Sequence, residues 1–278
     1  MKPIRIYISV VEMVNTKSSL LHIINTIKNS NLKSEKIIIV HSLNWEKYDF
    51  LIDSNLDIEY FDSGCDDTVY EYPALQKLWK DSANLDFYGL YLHCKGSSKS
   101  DPDQFANAIQ WATLMMYGVV TNSDLCLYHL ESGSDFVGSM FHWHFKGNFF
   151  WFKSEYVKQL VDPMELSPTY RYHCEFWGLY SYSWGKYPLP KIKNLFYLPI
   201  KTDDDFINIK KLPSLFDKSI LTEPFSDFLQ KGFYYAYDII LVNGLEFNAY
   251  KYEFKKYLNY DGVVINMDNR QIIHYDEI

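Results

Sequence analysis

This chain predicts an α/β fold: a mostly parallel sheet flanked by helices, followed by a small C-terminal β-α-β unit. Three observations carry the expectation. Apolar runs of strand length alternate with helical stripes through the N-terminal half. One run, Lys36 to His41 (K-I-I-I-V-H), is apolar without alternation, as a strand covered on both faces must be. Another, Asp86 to Gly96 (D-F-Y-G-L-Y-L-H-C-K-G), stops abruptly in His, Lys and Gly. In an open α/β sheet, ligands bind where the strands' carboxyl ends emerge.

The elements follow in order. Ile4 to Val10 alternates and is rich in β-branched residues, a first strand. Thr16 to Ser30 places Leu20, Ile23, Ile24 and Ile27 on one helical stripe. Lys36 to His41 is the second strand and Leu56 to Phe61 a short third one. Glu71 to Ala83 reads as a helix with Leu75, Leu78 and Trp79 on one face, and the strand ending at His93 follows. This β-α-β-α-β order implies parallel pairing. Asp103 to Val120 is expected as one long helix, Phe136 to Phe141 and Asn148 to Phe152 as strands, and Ser154 to Val161 and Glu175 to Ser183 as helices. Pro188, Pro190 and Pro199 mark the end of a first unit, residues 1–200. Residues 215–278 are expected to form the second: strand Tyr237 to Val242, helix Glu246 to Tyr257, strand Gly262 to Met267.

Composition bounds the function. An 18% aromatic share and 47% hydrophobic share exclude disorder. A formal net charge of −8 argues against nucleic acid as a partner, since binding it requires a basic face. Four well-separated cysteines without a C-x-x-C pair point to reduced thiols. The N-terminus is too quickly polar for a signal peptide, and no apolar run is long enough for a membrane span. The expectation is a soluble, cytoplasmic protein.

Three ordered signatures carry a resemblance. The first is Tyr70 to Trp79 (Y-E-Y-P-A-L-Q-K-L-W) followed by Tyr91 to Gly96 (Y-L-H-C-K-G). The second is Trp111 on the next helix. The third is His144 to Trp151 (H-F-K-G-N-F-F-W) followed by Arg171 to Trp177 (R-Y-H-C-E-F-W). In this order and spacing they resemble the nucleotide-binding half of GT-A glycosyltransferases, in particular a bacterial and large-virus group of sugar transferases. The resemblance implies a GT-A-like, Rossmann-like domain that moves a sugar from a nucleoside-diphosphate donor, UDP-sugar favoured, to a hydroxyl of a glycan acceptor.

It also implies site residues. The donor base packs beside the end of the first strand, so Ser9, Val10 and Glu12 are candidates. Asp62 and Ser63 are candidates for base or ribose, and Tyr72 for stacking on the base. Many GT-A enzymes hold the diphosphate through an Asp-x-Asp pair and a divalent metal; here His93-Cys94-Lys95 stands in that place, with Gly96 after it. Lys95 is suited to neutralising phosphate oxygens directly, and His93 either to hydrogen bonding or to ligating a metal. A dependence on Mn or Mg stays open, with His93, Asp66, Asp203 and Asp205 as weak ligand candidates. Gly147-Asn148 falls where sugar and acceptor meet in the resembled group, with His144, Trp151 and Trp177 as further candidates there; Trp143 and Trp151 have flat faces for a pyranose ring, with packing the leading role for Trp151 and Phe149. Glu175 is the candidate catalytic base, at a helix start where a carboxylate stays ionised.

Two other classes stay open on the residues alone. His142, His144 and His173 suit a metal-dependent hydrolase or phosphotransferase, although no closed four-ligand spacing accompanies them. The aromatic richness suits a non-catalytic carbohydrate-binding protein. The C-terminal segment weakly resembles the tail of class I methyltransferases, without the upstream glycine loop their cofactor needs.

Overall fold

The computed structural model describes residues 2–42, 48, 51, 55–139, 145–165, 174–175, 177–178, 191–194, 257–260, 263–266 and 271–274. Strands β1 (Ile4–Val10), β2 (Lys36–His41), β3 (Ile58–Asp62), β4 (Tyr88–His93), β5 (Phe136–Gly138), β6 (Phe150–Lys153) and β7 (Ile192–Asn194) form one seven-stranded sheet in the order β3-β2-β1-β4-β6-β5-β7. β3, β2, β1 and β4 run parallel. β6 runs antiparallel to both β4 and β5, and β7 parallel to β5. The sheet is therefore mixed, with its parallel part where the continuous apolar runs predict it.

Alternation along the strands sorts side chains onto two covered faces. Ile4, Ile6, Ile8 and Val10 of β1 join Ile37 and Ile39 of β2, Leu90 and Leu92 of β4, and Trp151 of β6 in one core. Helix α1 (Thr16–Lys28) closes it with Leu20, Ile23, Ile24 and Ile27, and helices α3 (Pro102–Met116) and α4 (Ser123–Glu131) add Met115, Met116, Cys126 and Leu130. The opposite face gathers Tyr7, Ile38, Val40, Tyr91, Phe150 and Phe152 under helix α2 (Tyr72–Asn84) and the short helix α5 (Ser154–Val157). Both faces are dry, which is why β2 reads as an unbroken apolar run.

The long helix expected over 103–120 is interrupted. After α3 the backbone widens into a π turn, Tyr117–Thr121, and α4 follows as a separate helix. The widened turn turns carbonyls outward to other donors. Val119 O accepts from Trp151 Nε1 at 2.6 Å, Gly118 O from Cys126 Sγ at 3.5 Å, and Tyr117 O from Asn122 Nδ2 at 2.7 Å. Tertiary hydrogen bonding thus overrides a pattern that is helical throughout.

Gly89 shows how tightly the second face is packed. It pairs in register with Phe152, and a Cβ at position 89 would lie 2.0 Å from the Phe152 ring. Gly89→Ala is expected to destabilise by about 1–3 kcal/mol through overpacking. Urea denaturation measures this, and Phe152→Leu in the same chain should recover part of the loss.

Near the C-terminus, β8 (Tyr257–Tyr260), β9 (Val263–Asn266) and β10 (Gln271–His274) form an antiparallel sheet with β9 in the middle. The expected strand Tyr237 to Val242 and most of the expected helix Glu246 to Tyr257 lie outside the described residues. The expected strand Gly262 to Met267 corresponds to β9, but its neighbours are hairpin partners on both sides, and Tyr257 opens a strand where a helix end is expected. The sequence carries the reason. Tyr260 pairs with Val263 across Asp261-Gly262, a dipeptide that favours a two-residue hairpin connection.

Candidate functional site

The order of the parallel strands places the site. The chain steps from β1 through β2 to β3 on one side, then returns to lay β4 on the other side of β1. A crevice at the carboxyl ends of an open sheet forms where the chain order reverses in this way. At that edge the strands end together on polar residues: Ser9 pairs with His93, Val10 with His41, and His41 with Asp62.

The centre of the site is Glu71, the residue immediately before α2. It is a buried carboxylate, 8% exposed. Its Oε2 accepts from Tyr91 Oη at 2.7 Å and from Asn148 Nδ2 at 2.7 Å, and its Oε1 lies 2.9 Å from His93 Nδ1. Burial favours the neutral acid, but the facing His93 and the three hydrogen bonds outweigh it and hold the Glu71 carboxyl down to about 2. An ionised carboxylate only accepts, so the proton of the shared bond sits on His93 Nδ1. The other ring nitrogen, Nε2, is buried and has no hydrogen-bond partner among the described residues. The His93 ring is steadied edge-on against Phe149, centroids 5.4 Å apart. Ser9 of β1 sits in register beside His93.

Local backbone makes this convergence possible. Tyr70, directly before Glu71, has φ +51°, and Gly147 and Asn148 have φ +73° and +58°. Left-handed residues without a glycine cost energy and collect where geometry is constrained. The Glu71 side chain makes no hydrogen bond to the start of α2; its carbonyl accepts from the Ala74 and Leu75 amides, so the carboxylate is free to turn inward.

The sequence candidates fall in four places. His93 and Asn148 meet at Glu71, with Ser9 in register beside His93 and with Lys95 and Gly96 in the turn directly after β4. Gly96 has φ +79°, and a Cβ there would lie 2.6 Å from Ala108 of α3. Asp62 ends β3 and accepts from the Gly64 amide at 2.9 Å, and Asp66, on the exposed turn beyond, accepts from the Thr68 amide at 2.9 Å. Glu12 stands past the end of β1 with one oxygen bonded to Tyr48 Oη at 2.6 Å; its other oxygen is buried and unpartnered among the described residues. Cys174 and Glu175 lie in a helical turn, and Cys174 is buried in the same core as Tyr91.

Several candidates take other roles than expected. Val10 is a core residue, and its carbonyl accepts from the Ser42 amide at 3.3 Å. Tyr72 is fully buried under the sheet, so its ring has no face for a base. Trp151 and Trp177 are likewise fully buried, with indole N–H groups donating to Val119 O at 2.6 Å and Val161 O at 2.9 Å. Neither offers a platform to a sugar. The space a Cβ would fill at Gly147 is taken by Met115, with Trp111 beside it, so that glycine serves close packing on α3. The Asn148 amide, expected on sugar hydroxyls, bonds Glu71. His142, His144, His173, Asp203 and Asp205 lie outside the described residues.

No group of three or more His, Cys, Asp or Glu that could hold a metal ion gathers among the described residues. The Glu71 carboxylate at His93 is held by three donors. No helix among them is long and apolar enough to cross a membrane.

Residues 32–186 match the family model described as Domain of unknown function (DUF8361). The chain belongs to the DUF8361 family. No curated protein matches it. The DUF8361 span takes in Glu71, Tyr91, His93, Lys95, Asn148 and Glu175, and begins after Ser9 and Glu12. Glu71 is the residue that sequence reasoning misses as a site. Its signal is a carboxylate in Y-E-Y-P, one residue too early to belong to the helix it precedes.

Proposed function

We propose that this chain is a GT-A-like glycosyltransferase that moves a sugar from a nucleoside diphosphate, UDP-sugar favoured, to a hydroxyl of a glycan acceptor. One observation carries the reading: the chain order reverses between β1 and β4, and at the edge so formed β4 ends on His93, whose Nε2 has no hydrogen-bond partner among the described residues, with Lys95 in the turn after it. That is where an α/β sheet receives a nucleotide. A diphosphate leaving group requires compensating charge, and Lys95 follows the strand at the distance of a turn. Glu12, with its unpartnered oxygen beyond β1, suits the N–H or O–H donors of a base or ribose. Glu175 is the base that takes the proton of the acceptor hydroxyl. The C-terminal strands are assigned no part in the transfer.

A thermal-shift screen with UDP-, GDP-, CMP- and dTDP-sugars, each with and without Mn²⁺, tests this. A bound donor at a hundredfold excess over its Kd stabilises by about 2.7 kcal/mol, a rise of several degrees for a domain of this size. Lys95→Ala should remove most of that rise. Stabilisation by glycans with no response to any nucleotide would indicate a carbohydrate-binding protein instead.

A further inference from the structure

Buried polar groups pair with protein or solvent groups almost without exception, so each orphan requires a reason. His93 Nε2 is such an orphan among the described residues. Its environment is unusually fixed. The ring is gripped at Nδ1 by a carboxylate 2.9 Å away, and that carboxylate is gripped in turn by Tyr91 and Asn148, each at 2.7 Å. Three separate elements thus converge to set one imidazole: the end of β4, the residue before α2, and the left-handed turn at 147–148. A core histidine needs only a partner. This one has a carboxylate held by two further donors and a second nitrogen left over.

We propose that Glu71 is a positioning residue that holds the Nδ1 proton and the ring plane of His93, so that Nε2 faces a diphosphate oxygen of the bound nucleotide and, with the ring carrying a proton on each nitrogen in that complex, donates its N–H to it. The inference rests on the reading of the site as a nucleotide-sugar site and names the group that meets the leaving diphosphate. An anion suits this place better than a cation. Lys95 stands two residues along the same strand end, and Glu71, the nearest carboxylate, has both oxygens engaged. A hydrogen bond accepted by an ionised phosphate oxygen is among the stronger ones, and an outer carboxylate is a common device for orienting a histidine. Asn148 gains a role as well: it ties the segment expected near the sugar to the group at the diphosphate.

The test uses three probes on the whole chain, namely inorganic pyrophosphate, UDP and Mn²⁺, read by calorimetry and by nitrogen NMR of the labelled histidines. His93→Asn keeps a donor toward Glu71 and removes Nε2, and it also assigns the His93 signals among the 8 histidines. His93→Gln reaches back toward the Nε2 position. The expected result is a Kd for pyrophosphate and for UDP at least tenfold weaker in His93→Asn, partly recovered in His93→Gln, with melting temperatures close to wild type. Pyrophosphate should shift the Nε2 signal of wild type. In Glu71→Gln the Nδ1–H signature should be replaced by a mixture of tautomers, with pyrophosphate binding weakened accordingly. A merely structural glutamate would leave the tautomer unchanged. Unaltered pyrophosphate and UDP affinity in a folded His93→Asn overturns the inference while leaving the nucleotide-sugar reading in place. Mn²⁺ broadening of the Nε2 signal with no effect of pyrophosphate overturns it in favour of a metal ligand. If pyrophosphate moves Nε2 but no nucleotide binds, the anion contact stands and the nucleotide-sugar reading falls.

Discussion

Replacing Glu71 with alanine is expected to destabilise the protein by about 3–5 kcal/mol, the cost of removing one partner from a buried charged network. The substitution leaves the His93 ring, the Tyr91 hydroxyl and the Asn148 amide without their shared acceptor. Each is a buried donor that solvent does not reach freely, so its desolvation is no longer offset. Glu71→Gln keeps the shape and one acceptor oxygen but points an amide at groups that donate; about 1–3 kcal/mol is expected. Urea denaturation at neutral pH measures both, and a loss below about 1 kcal/mol in the alanine variant would show that the network contributes little.

The same residue gives a pH signature with a definite sign. The folded state holds the Glu71 carboxyl down to about 2, against 4.5 for an unperturbed glutamate, because His93, Tyr91 and Asn148 together outweigh the burial that opposes ionisation. A depressed carboxylate contributes stability that is complete above the unfolded value and is lost as pH falls toward the folded one. The window therefore runs from about pH 4.5 down to about pH 2, and wild type should lose on the order of 3 kcal/mol across it from this group. Glu71→Gln has no such carboxyl, so the stability gap between wild type and this variant should close across that window.

How far the sequence reveals this protein depends on whether a signal is local. β1, β2 and β4 are legible because each is an apolar run of strand length, and their parallel pairing follows from the helices between them. The strand end at His93 is legible as a site for the same reason: polar residues stop an otherwise buried run. Glu71 is not legible, because it looks like a helix-start carboxylate until the fold brings Tyr91 from 20 residues away and Asn148 from 77 residues away. The aromatic candidates mislead for a related reason. Where a sheet is covered on both faces, no periodicity separates a ring aimed at the covering layer, such as Trp151 at the π turn after α3, from one lining a crevice. Gly147 is a glycine for close approach, as expected of that residue type, but what approaches is Met115 and not a ligand. The antiparallel pairing of β8 with β9 brings Tyr260 opposite Val263 across the sequence Asp261-Gly262, a dipeptide with a strong hairpin preference that the apolar pattern around it does not display.

Glu175→Gln should abolish sugar transfer while leaving nucleotide binding intact. In the proposed reaction the acceptor hydroxyl attacks the anomeric carbon, and its proton must leave as the new bond forms; a carboxylate in reach takes it, an amide does not. General-base removal of this kind is worth roughly 10²–10⁴-fold in rate. The packing around Glu175 suits the role. Cys174 on one side is buried in the core that includes Tyr91, and Trp177 on the other is fully buried with its indole bonded to Val161 O at 2.9 Å. These two anchors fix the turn and leave Glu175 half-buried between them. Because glutamine matches glutamate in size, the melting temperature and the nucleotide-induced rise should both persist, which separates loss of the base from loss of the fold. Glu175→Asp draws the carboxylate back by one methylene and should retain a small fraction of the rate, whereas Glu175→Gln should retain essentially none. Turnover at wild-type rate in Glu175→Gln would place the base on another residue, and a nucleotide response lost together with the rate would assign Glu175 to donor binding instead.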